Sequence, residues 1–170
     1  MNRIQKFIFP LLGLLTLLVL AACNTIGTSS KKLDYNPVLC RFYLETPNGD
    51  PNAAEPLPLS GLRVATGTDP VLMETDIGAV NIGKTGDALY LVFHLRSDAA
   101  RALYQITTQN IGRRLVLRIN GDAVGVLKVT GPIGNGSIAM YVELADSGLA
   151  ELVKNINKTC ESIDKELKKG

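Results

Sequence analysis

The sequence predicts a domain of mixed α and β structure, with a β-hairpin and two amphipathic helices. Three patterns lead to this prediction. Asp87 to Leu95 alternates apolar and polar side chains, as a half-buried strand does. The dipeptide Asn120-Gly121 lies between two alternating segments, which is typical of a β-hairpin. From Asp146 the apolar repeat changes from two residues to about 3.6, the period of a helix with one buried face.

The first 22 residues predict an export signal. Arg3 and Lys6 precede an apolar run that is short for a membrane-spanning helix, and the run ends in Leu20-Ala21-Ala22-Cys23. Leu-Ala-Ala-Cys resembles the lipobox of bacterial lipoproteins, which implies cleavage before Cys23 and a lipid on that cysteine. The alternative is an uncleaved anchor helix with a buried cysteine. In either case we expect the body of the protein to lie outside the cytoplasm.

Cleavage would also neutralise the chain. It removes Arg3 and Lys6 and no acidic residue, so the formal charge of +2 falls to zero, with 16 basic and 16 acidic side chains. A neutral body has no electrostatic basis for binding nucleic acid or a broad acidic membrane patch. We therefore expect attachment to the membrane through the lipid on Cys23. We predict that residues 23–36 form a polar tether and that residues 37–170 form a single domain.

The first half of the domain begins with a clear strand and continues less regularly. Val38 to Glu45 alternates, with Cys40 on the apolar face. Thr46 to Ser60 carries four prolines and little that could pack, so we predict a loop or an extended polyproline segment, which is either functional or loosely ordered. The apolar pieces that follow are too short to assign: Leu62 to Ala65, Val71 to Met73 and Asp76 to Ile82.

The second half is better patterned. Ser97 as a cap and Asp98 in the first turn predict a helix, which Gly112 would end in the left-handed conformation that glycine tolerates. Gly131 to Ser137 lacks the fingerprint of a dinucleotide loop and predicts a turn. Strands are predicted at Leu115 to Ile119, at about Ala123 to Thr130 and at Ile138 to Leu144.

Two cysteines remain when Cys23 carries lipid. Cys40 points inward from the first strand, and Cys160 lies on the buried stripe of the last helix. In an oxidising envelope a single pair of this kind favours one disulfide, so we predict a Cys40–Cys160 bridge. The alternative is two buried free thiols, which are common in protein cores.

Four short segments occur in the order and spacing of one known family. They are Cys40-Arg41-Phe42-Tyr43-Leu44, Pro70 to Ala79, Val92 to Ala100 and Asn110 to Leu115. Together they resemble the "FRL", "P-L-x-x-x-D-I-x-x-A", "V-x-F-x-L-x-x-x-G-A" and "N-x-G-x-x-L" segments in the periplasmic head region of SecD, a subunit of the bacterial protein-export translocase. The resemblance covers about Val38 to Asn157. It implies an α+β fold, an antiparallel sheet with two packing helices, and contact with exported or envelope polypeptides. It does not imply export activity, because the sequence has no second apolar run long enough to cross a membrane.

One segment fits an enzyme motif. Gly78 to Thr85 matches the Walker A pattern of nucleotide-binding P-loops, but an alternating strand follows where that motif needs a helix. His94, the only histidine, has no motif around it and predicts a half-exposed strand residue. No cysteine–histidine spacing resembles a zinc site. The sequence therefore predicts no catalytic residue, no metal and no cofactor.

These observations favour a lipid-tethered, non-enzymatic envelope domain that binds other proteins. Its sheet edges and the segment Thr46 to Ser60 are the expected contact surfaces, because an edge strand can accept an added strand. Asn24 is not the aspartate that signals inner-membrane retention in enteric-type lipoproteins, which favours the outer membrane in a Gram-negative host. The alternatives are a structural lipoprotein without a specific ligand and a nucleotide-binding enzyme that uses Gly78 to Thr85.

Overall fold

The structure, a computed structural model, describes residues 33–46 and 53–169. The predicted signal peptide, Cys23 and most of the predicted tether lie outside the described residues. None of the helices in the described part is long and apolar enough to cross a membrane. The elements are β1 Cys40–Leu44, β2 Glu55–Pro56, β3 Arg63–Val64, a 3₁₀ turn Glu74–Asp76, β4 Ile77–Thr85, β5 Ala88–Leu95, α1 Ser97–Gln109, β6 Arg114–Ile119, β7 Asp122–Lys128, β8 Ser137–Met140 and α2 Asp146–Leu167.

The strands form two three-stranded antiparallel sheets and a short ribbon. The first sheet has the order β1-β6-β7, the second sheet has the order β4-β5-β8, and β2 pairs with β3. The predicted α+β class with antiparallel pairing and two helices is confirmed. The division of the strands between two sheets was not predicted.

The core lies between the inner faces of the two sheets. Phe42 of β1 and Phe93 of β5 meet edge to face, with ring centroids 5.0 Å apart, a favoured arrangement for aromatic pairs. Both helices add apolar side chains to the same cluster, namely Ala99 and Leu103 from α1, and Leu149, Ile156 and Cys160 from α2. The inward faces predicted from alternation in β1 and β5, and from the helical stripe in α2, are therefore correct.

The proline-rich segment packs more than the sequence indicated. Leu57 has only 3% of its surface exposed, so the expectation that Thr46 to Ser60 has little to pack was wrong at this residue. Leu57 and Val64 of the ribbon region form a second, smaller cluster with Val116 and Ala123 of the first sheet. The described part of the segment therefore covers the outer face of that sheet. Residues 47–52 lie outside the described residues.

A carboxylate holds the end of this segment in place. The backbone N–H groups of Leu59 and Ser60 both donate to Glu143 Oε2 at 2.8 Å. Hydrogen bonds from the Ser60 side chain and backbone, and from Leu59, lower the pKa of the Glu143 carboxyl. A lowered pKa means that this stabilisation is present above the ordinary glutamate pKa, about 4.3, and is lost as the pH falls through the lowered value.

We therefore expect the two amides to report the titration of Glu143. Their NMR chemical shifts should change together only below about pH 4, while amides in the core stay constant over that range. In a Glu143→Gln variant, which cannot ionise, the change should be missing. Shifts that titrate equally in the variant would assign the effect to another carboxyl.

Two sheet edges are closed by groups from elsewhere in the chain. At β1, the N–H of Phe42 donates to the Leu72 carbonyl at 2.8 Å, and the N–H of Val71 donates to the Phe42 carbonyl at 2.7 Å. At β4, the side chain of Asn157 in α2 accepts from the Val80 N–H at 2.8 Å and donates to the Val80 carbonyl at 2.9 Å. These contacts occupy the backbone groups that an added strand would need. They weaken the expectation that these edges are contact surfaces.

The turns largely follow the prediction. Asn120 and Gly121 have φ values of 53° and 102°, as a tight hairpin turn requires, and Gly112 has a φ of 90°.

Helix α1 begins at Ser97, but Arg96 occupies the cap position and no side chain caps the helix, so the predicted Ser97 cap was wrong by one residue. Arg96 is fixed there because its guanidinium donates to the Ile77 carbonyl at 3.1 Å and pairs with Asp164.

Strand β8 is shorter than predicted. It ends at Met140 instead of Leu144, because the chain then crosses to the first sheet, where the N–H of Glu143 donates to the Val124 carbonyl at 2.7 Å. At this crossing a Cβ atom on Gly125 would lie 2.8 Å from the Tyr141 carbonyl oxygen. The crossing therefore depends on a glycine in β7.

Replacing Gly125 by alanine should destabilise the domain by about 1 to 3 kcal/mol, because a backbone atom blocks the added methyl group. Chemical denaturation measures the effect. Gly67→Ala is the matched control, since a Cβ atom at Gly67 would have no neighbour within 4 Å. Equal loss of stability in both variants would show that the close approach of the two sheets is not the cause.

Candidate functional site

The segment that matches the Walker A pattern is a strand. Gly78 to Thr85 lies within β4, and its residues pair with β5 from Ala79 opposite His94 to Thr85 opposite Ala88. An extended backbone directs successive N–H groups to opposite sides, so they cannot converge on a phosphate. A turn and β5 follow, where a phosphate site needs the N-terminus of a helix. This segment therefore forms no phosphate-binding loop.

One glycine of that pattern has a packing role. Gly83 pairs with Tyr90 of β5, and a Cβ atom on Gly83 would lie 2.3 Å from the Tyr90 ring. The missing side chain lets the ring lie across the strand. Tyr90 in turn packs edge to face on Tyr141, with ring centroids 5.6 Å apart. Packing is a sufficient reason for a glycine at position 83.

His94 lies on the outer face of β5, as predicted for a strand residue. Its Nδ1 atom is 3.0 Å from Ser137 Oγ, and the side chain is exposed to solvent. Residues 33–46 and 53–169 contain no group of three or more histidine, cysteine, aspartate or glutamate side chains that could hold a metal ion. The surroundings of His94 do not assemble a catalytic or metal-binding group.

Cys40 and Cys160 lie in the core next to Glu74. The Cys40 N–H donates to Glu74 Oε1 at 3.0 Å, and Cys160 Sγ is 3.9 Å from the Glu74 carbonyl oxygen. Both cysteines are free thiols in the structure, so the predicted bridge is not formed there. Burial raises the pKa of Cys160 to about 11. Burial, with Cys160 and Glu74 adding to it, raises the pKa of Cys40 far above its ordinary range.

These pKa shifts have a chemical consequence. The thiolate is the reactive form of cysteine, and both side chains remain protonated at neutral pH in the folded domain. Neither thiol is therefore suited to be a nucleophile. Burial therefore slows the formation of a bridge between them once the core has closed.

An open groove of about 360 Å³ lies between the β6–β7 hairpin and the start of α2. Its floor consists of buried apolar side chains, those of Ile119, Val124 and Leu149. Its walls are half-buried leucines, Leu144 and Leu152. The volume falls within the range of known ligand sites, about 300 to 1,000 Å³.

Local structure keeps the groove open. The hairpin tip is fastened to the start of β1, because Asn120 Oδ1 accepts from the Leu39 N–H at 2.9 Å and the Asn120 N–H donates to the Leu39 carbonyl at 2.8 Å. On the opposite side, Gly148 in the first turn of α2 presents no side chain to the groove. The groove is thus formed by a hydrogen-bonded hairpin tip and the first turn of a helix.

The rim of the groove is acidic. Asp122 lines it, and Asp146 is adjacent to the lining residue Ala145. Both aspartates are exposed, and the ion pairs seen in the described part of the chain include neither of them. The N-terminus of α2 contributes a partial positive charge of about 0.5. Two carboxylates outweigh that partial charge, so the rim is negative.

Two other depressions are weaker candidates. One of about 130 Å³ contains Arg41 and Arg118, which already pair with Glu74 and Glu55. Another of about 350 Å³ lies along the outer face of α1 beside Tyr104. Neither depression has the buried apolar floor of the groove.

Comparison with known proteins relates the fold to one protein. No protein-family model matches the sequence, and no curated protein matches it. A solved structure of SecDF, described as a membrane component that enhances protein export, superposes on 71% of this chain with a TM-score of 0.58 and 13% identity. The fold is SecDF-like.

A second structure, SecDF in a super-membrane-facing form, gives the same identity, TM-score and coverage of this chain. The matched region spans 62% of the first SecDF chain and 18% of the second. At 13% identity the likeness concerns the fold alone. It confirms the SecD-like fold that the four sequence segments implied.

Sequence reasoning did not find the groove. Its floor combines β6, β7 and α2, and the hairpin signal gave no information about which helix would lie beside it. Leu144 and Leu152 were recognised only as members of a strand and a helical stripe. The cysteines and the Walker-like segment, which the sequence did single out, do not line the groove.

Proposed function

We propose that this chain is a lipid-tethered, non-enzymatic domain of the cell envelope that binds another polypeptide in the groove between the β6–β7 hairpin and α2. The groove carries the proposal, because it combines a buried apolar floor with an open mouth and walls of leucine side chains. Its volume suits about one or two aliphatic side chains of a partner. A SecDF-like fold supports the proposal, since SecDF is a membrane component that enhances protein export.

The tether part of the proposal rests on Leu20-Ala21-Ala22-Cys23. The described chain enters the domain along α2, where the Tyr35 ring lies 5.6 Å from Lys158 Nζ and the Val38 N–H donates to Thr159 Oγ1 at 3.0 Å. We place the domain on the periplasmic side, attached through lipid on Cys23. Asn24 after that cysteine favours the outer membrane over the inner membrane.

Replacing Cys23 by serine tests the anchor. The variant should no longer incorporate radiolabelled palmitate and should keep its signal peptide, because cleavage before Cys23 depends on that cysteine. The parent chain should incorporate the label and lose the signal peptide. A parent chain that incorporates no palmitate and keeps residues 1–22 would support the uncleaved anchor helix instead.

Crosslinking in intact cells tests the groove. A photo-reactive amino acid at Ser147, on the first turn of α2 beside Gly148, should capture a recurrent partner that mass spectrometry can identify. The same amino acid at exposed Gln105 on α1 is the control. A Leu152→Glu substitution, which places a charge on the apolar wall, should abolish the crosslink. No partner from either position would favour the structural lipoprotein.

A further inference from the structure

The groove joins an apolar floor to the carboxylate of Asp122, and Asp146 follows the lining residue Ala145. Neither carboxylate takes part in an ion pair seen in the described part of the chain. We propose that its ligand is a polypeptide segment in which a basic side chain, lysine or arginine, is next to an apolar one. This inference rests on the proposed function and names the chemistry of the partner.

The charges around the groove support a cationic ligand. Asp122 lines the groove and Asp146 follows the lining residue Ala145 in the chain; both are exposed, and none of the lining residues is lysine or arginine. Three other acidic side chains take part in ion pairs, namely Glu55 with Arg118, Asp98 with Arg101 and Asp164 with Arg96. The two rim carboxylates are therefore free to pair with a cation from outside.

The floor and walls support an apolar neighbour. An aliphatic side chain in the groove would contact the buried apolar side chains of Ile119, Val124 and Leu149. A lysine or arginine beside it can lay its methylene stem along Leu144 or Leu152 and reach the rim with its charged end. One dipeptide unit would thus satisfy both parts of the site.

The same chemistry disfavours other classes of ligand. Phosphate groups of nucleotides or lipids would meet the negative rim, and a plain acyl chain would leave both carboxylates without a partner. A peptide with acidic side chains would be repelled by Asp122 and Asp146. The preference for basic over acidic peptides is therefore the property to measure.

Fluorescence anisotropy with two labelled nonapeptides makes that measurement. One peptide alternates leucine with lysine, and its twin alternates leucine with glutamate. The full chain is held in nanodiscs of zwitterionic phosphatidylcholine, and empty nanodiscs are the blank. We expect the lysine peptide to bind, the glutamate twin to bind at least about tenfold more weakly, and added salt to weaken the lysine peptide because exposed charges are screened.

Substitutions at the rim locate the effect. Asp122→Asn combined with Asp146→Asn should weaken the lysine peptide by about fivefold, as expected for two exposed ion pairs. Asp87→Asn is the matched control, because Asp87 is also exposed, lies in the turn between β4 and β5, and does not line the groove. Asp122→Lys combined with Asp146→Lys should reverse the preference towards the glutamate twin, which a purely structural role could not produce.

The outcomes separate the two proposals. Equal binding of both peptides, or a double asparagine variant that binds as the parent does, would overturn the basic preference and leave the groove as a site for apolar segments. If neither peptide binds and Ser147 captures no partner in cells, the proposed function itself is wrong. Reversal by the lysine variants would establish the inference.

Discussion

Replacing Glu74 by alanine is expected to lower the free energy of unfolding by about 2 to 3 kcal/mol, which is a large share of the stability of a domain of this size. Glu74 is only 6% exposed, and its Oε1 atom accepts from the Cys40 N–H and from Arg41 Nε, each at 3.0 Å. The carboxylate thus provides an acceptor for the Cys40 N–H at the edge of β1. The Phe42 N–H, two residues further along the strand, already donates to the Leu72 carbonyl. Alanine would leave a buried N–H without a partner and a cavity beside it.

Two further variants separate the role of Glu74 as a hydrogen-bond acceptor from the role of its negative charge. Glu74→Gln keeps an oxygen within reach of the Cys40 N–H and should retain most of the stability. Arg41→Ala removes the charged partner, which is 40% exposed, and should have only a small effect because water screens the pair. If urea denaturation shows Glu74→Gln to be as unstable as Glu74→Ala, the role of Glu74 is electrostatic and our account of the strand edge is wrong.

We expect Cys40 and Cys160 to be joined by a disulfide in protein isolated from the envelope, although they are free thiols in the structure. The bridge would link the first strand to the last helix. Chain-entropy arithmetic for a loop of this length gives a stabilisation of about 4 to 5 kcal/mol, an upper figure because strain in the native state would reduce it. Formation passes two electrons and two protons to an oxidant of the envelope, and we expect it to be fastest before the core folds, since burial raises the pKa of both thiols.

The measurement has to be made on unfolded protein. Because burial raises the pKa of Cys160 to about 11, slow alkylation of the native domain would occur with or without a bridge. Iodoacetamide in guanidinium without reductant should leave both cysteines unmodified, and prior reduction should expose both. Reductant should also lower the Tm of the parent chain and leave the Tm of a Cys160→Ala variant unchanged. Two alkylated cysteines in the unreduced sample would disprove the bridge.

The structure also changes which surfaces are available to a partner. Sequence patterns favoured sheet edges and the segment Thr46 to Ser60. Backbone groups of Leu72 close part of the β1 edge, Asn157 closes the β4 edge at Val80, and Leu57 packs onto the first sheet. The groove at the junction of the β6–β7 hairpin and α2 is open and has a buried apolar floor, which is why we propose it as the binding site.

Much of the local structure could be read from the sequence. The alternation of β1 and β5, the Asn120-Gly121 turn, the end of α1 near Gly112 and the change of period at Asp146 all correspond to elements of the structure. Each of these signals depends on residues close together in the chain, where side-chain direction and allowed backbone angles are sufficient. The same local reasoning correctly separated Gly78 to Thr85 from true phosphate-binding loops, because a strand follows it.

The sequence by itself therefore determined the elements, their buried faces and the SecD-like order of four short segments. Only the tertiary structure decided that the strands divide into two sheets, that Glu74 and Asn157 complete strand edges, and that β6, β7 and α2 enclose a groove with an acidic rim. The physical reason is the range of the interactions. Periodicity records which side of an element is apolar, whereas a groove or a closed edge depends on which distant segments meet, and no local pattern carries that information.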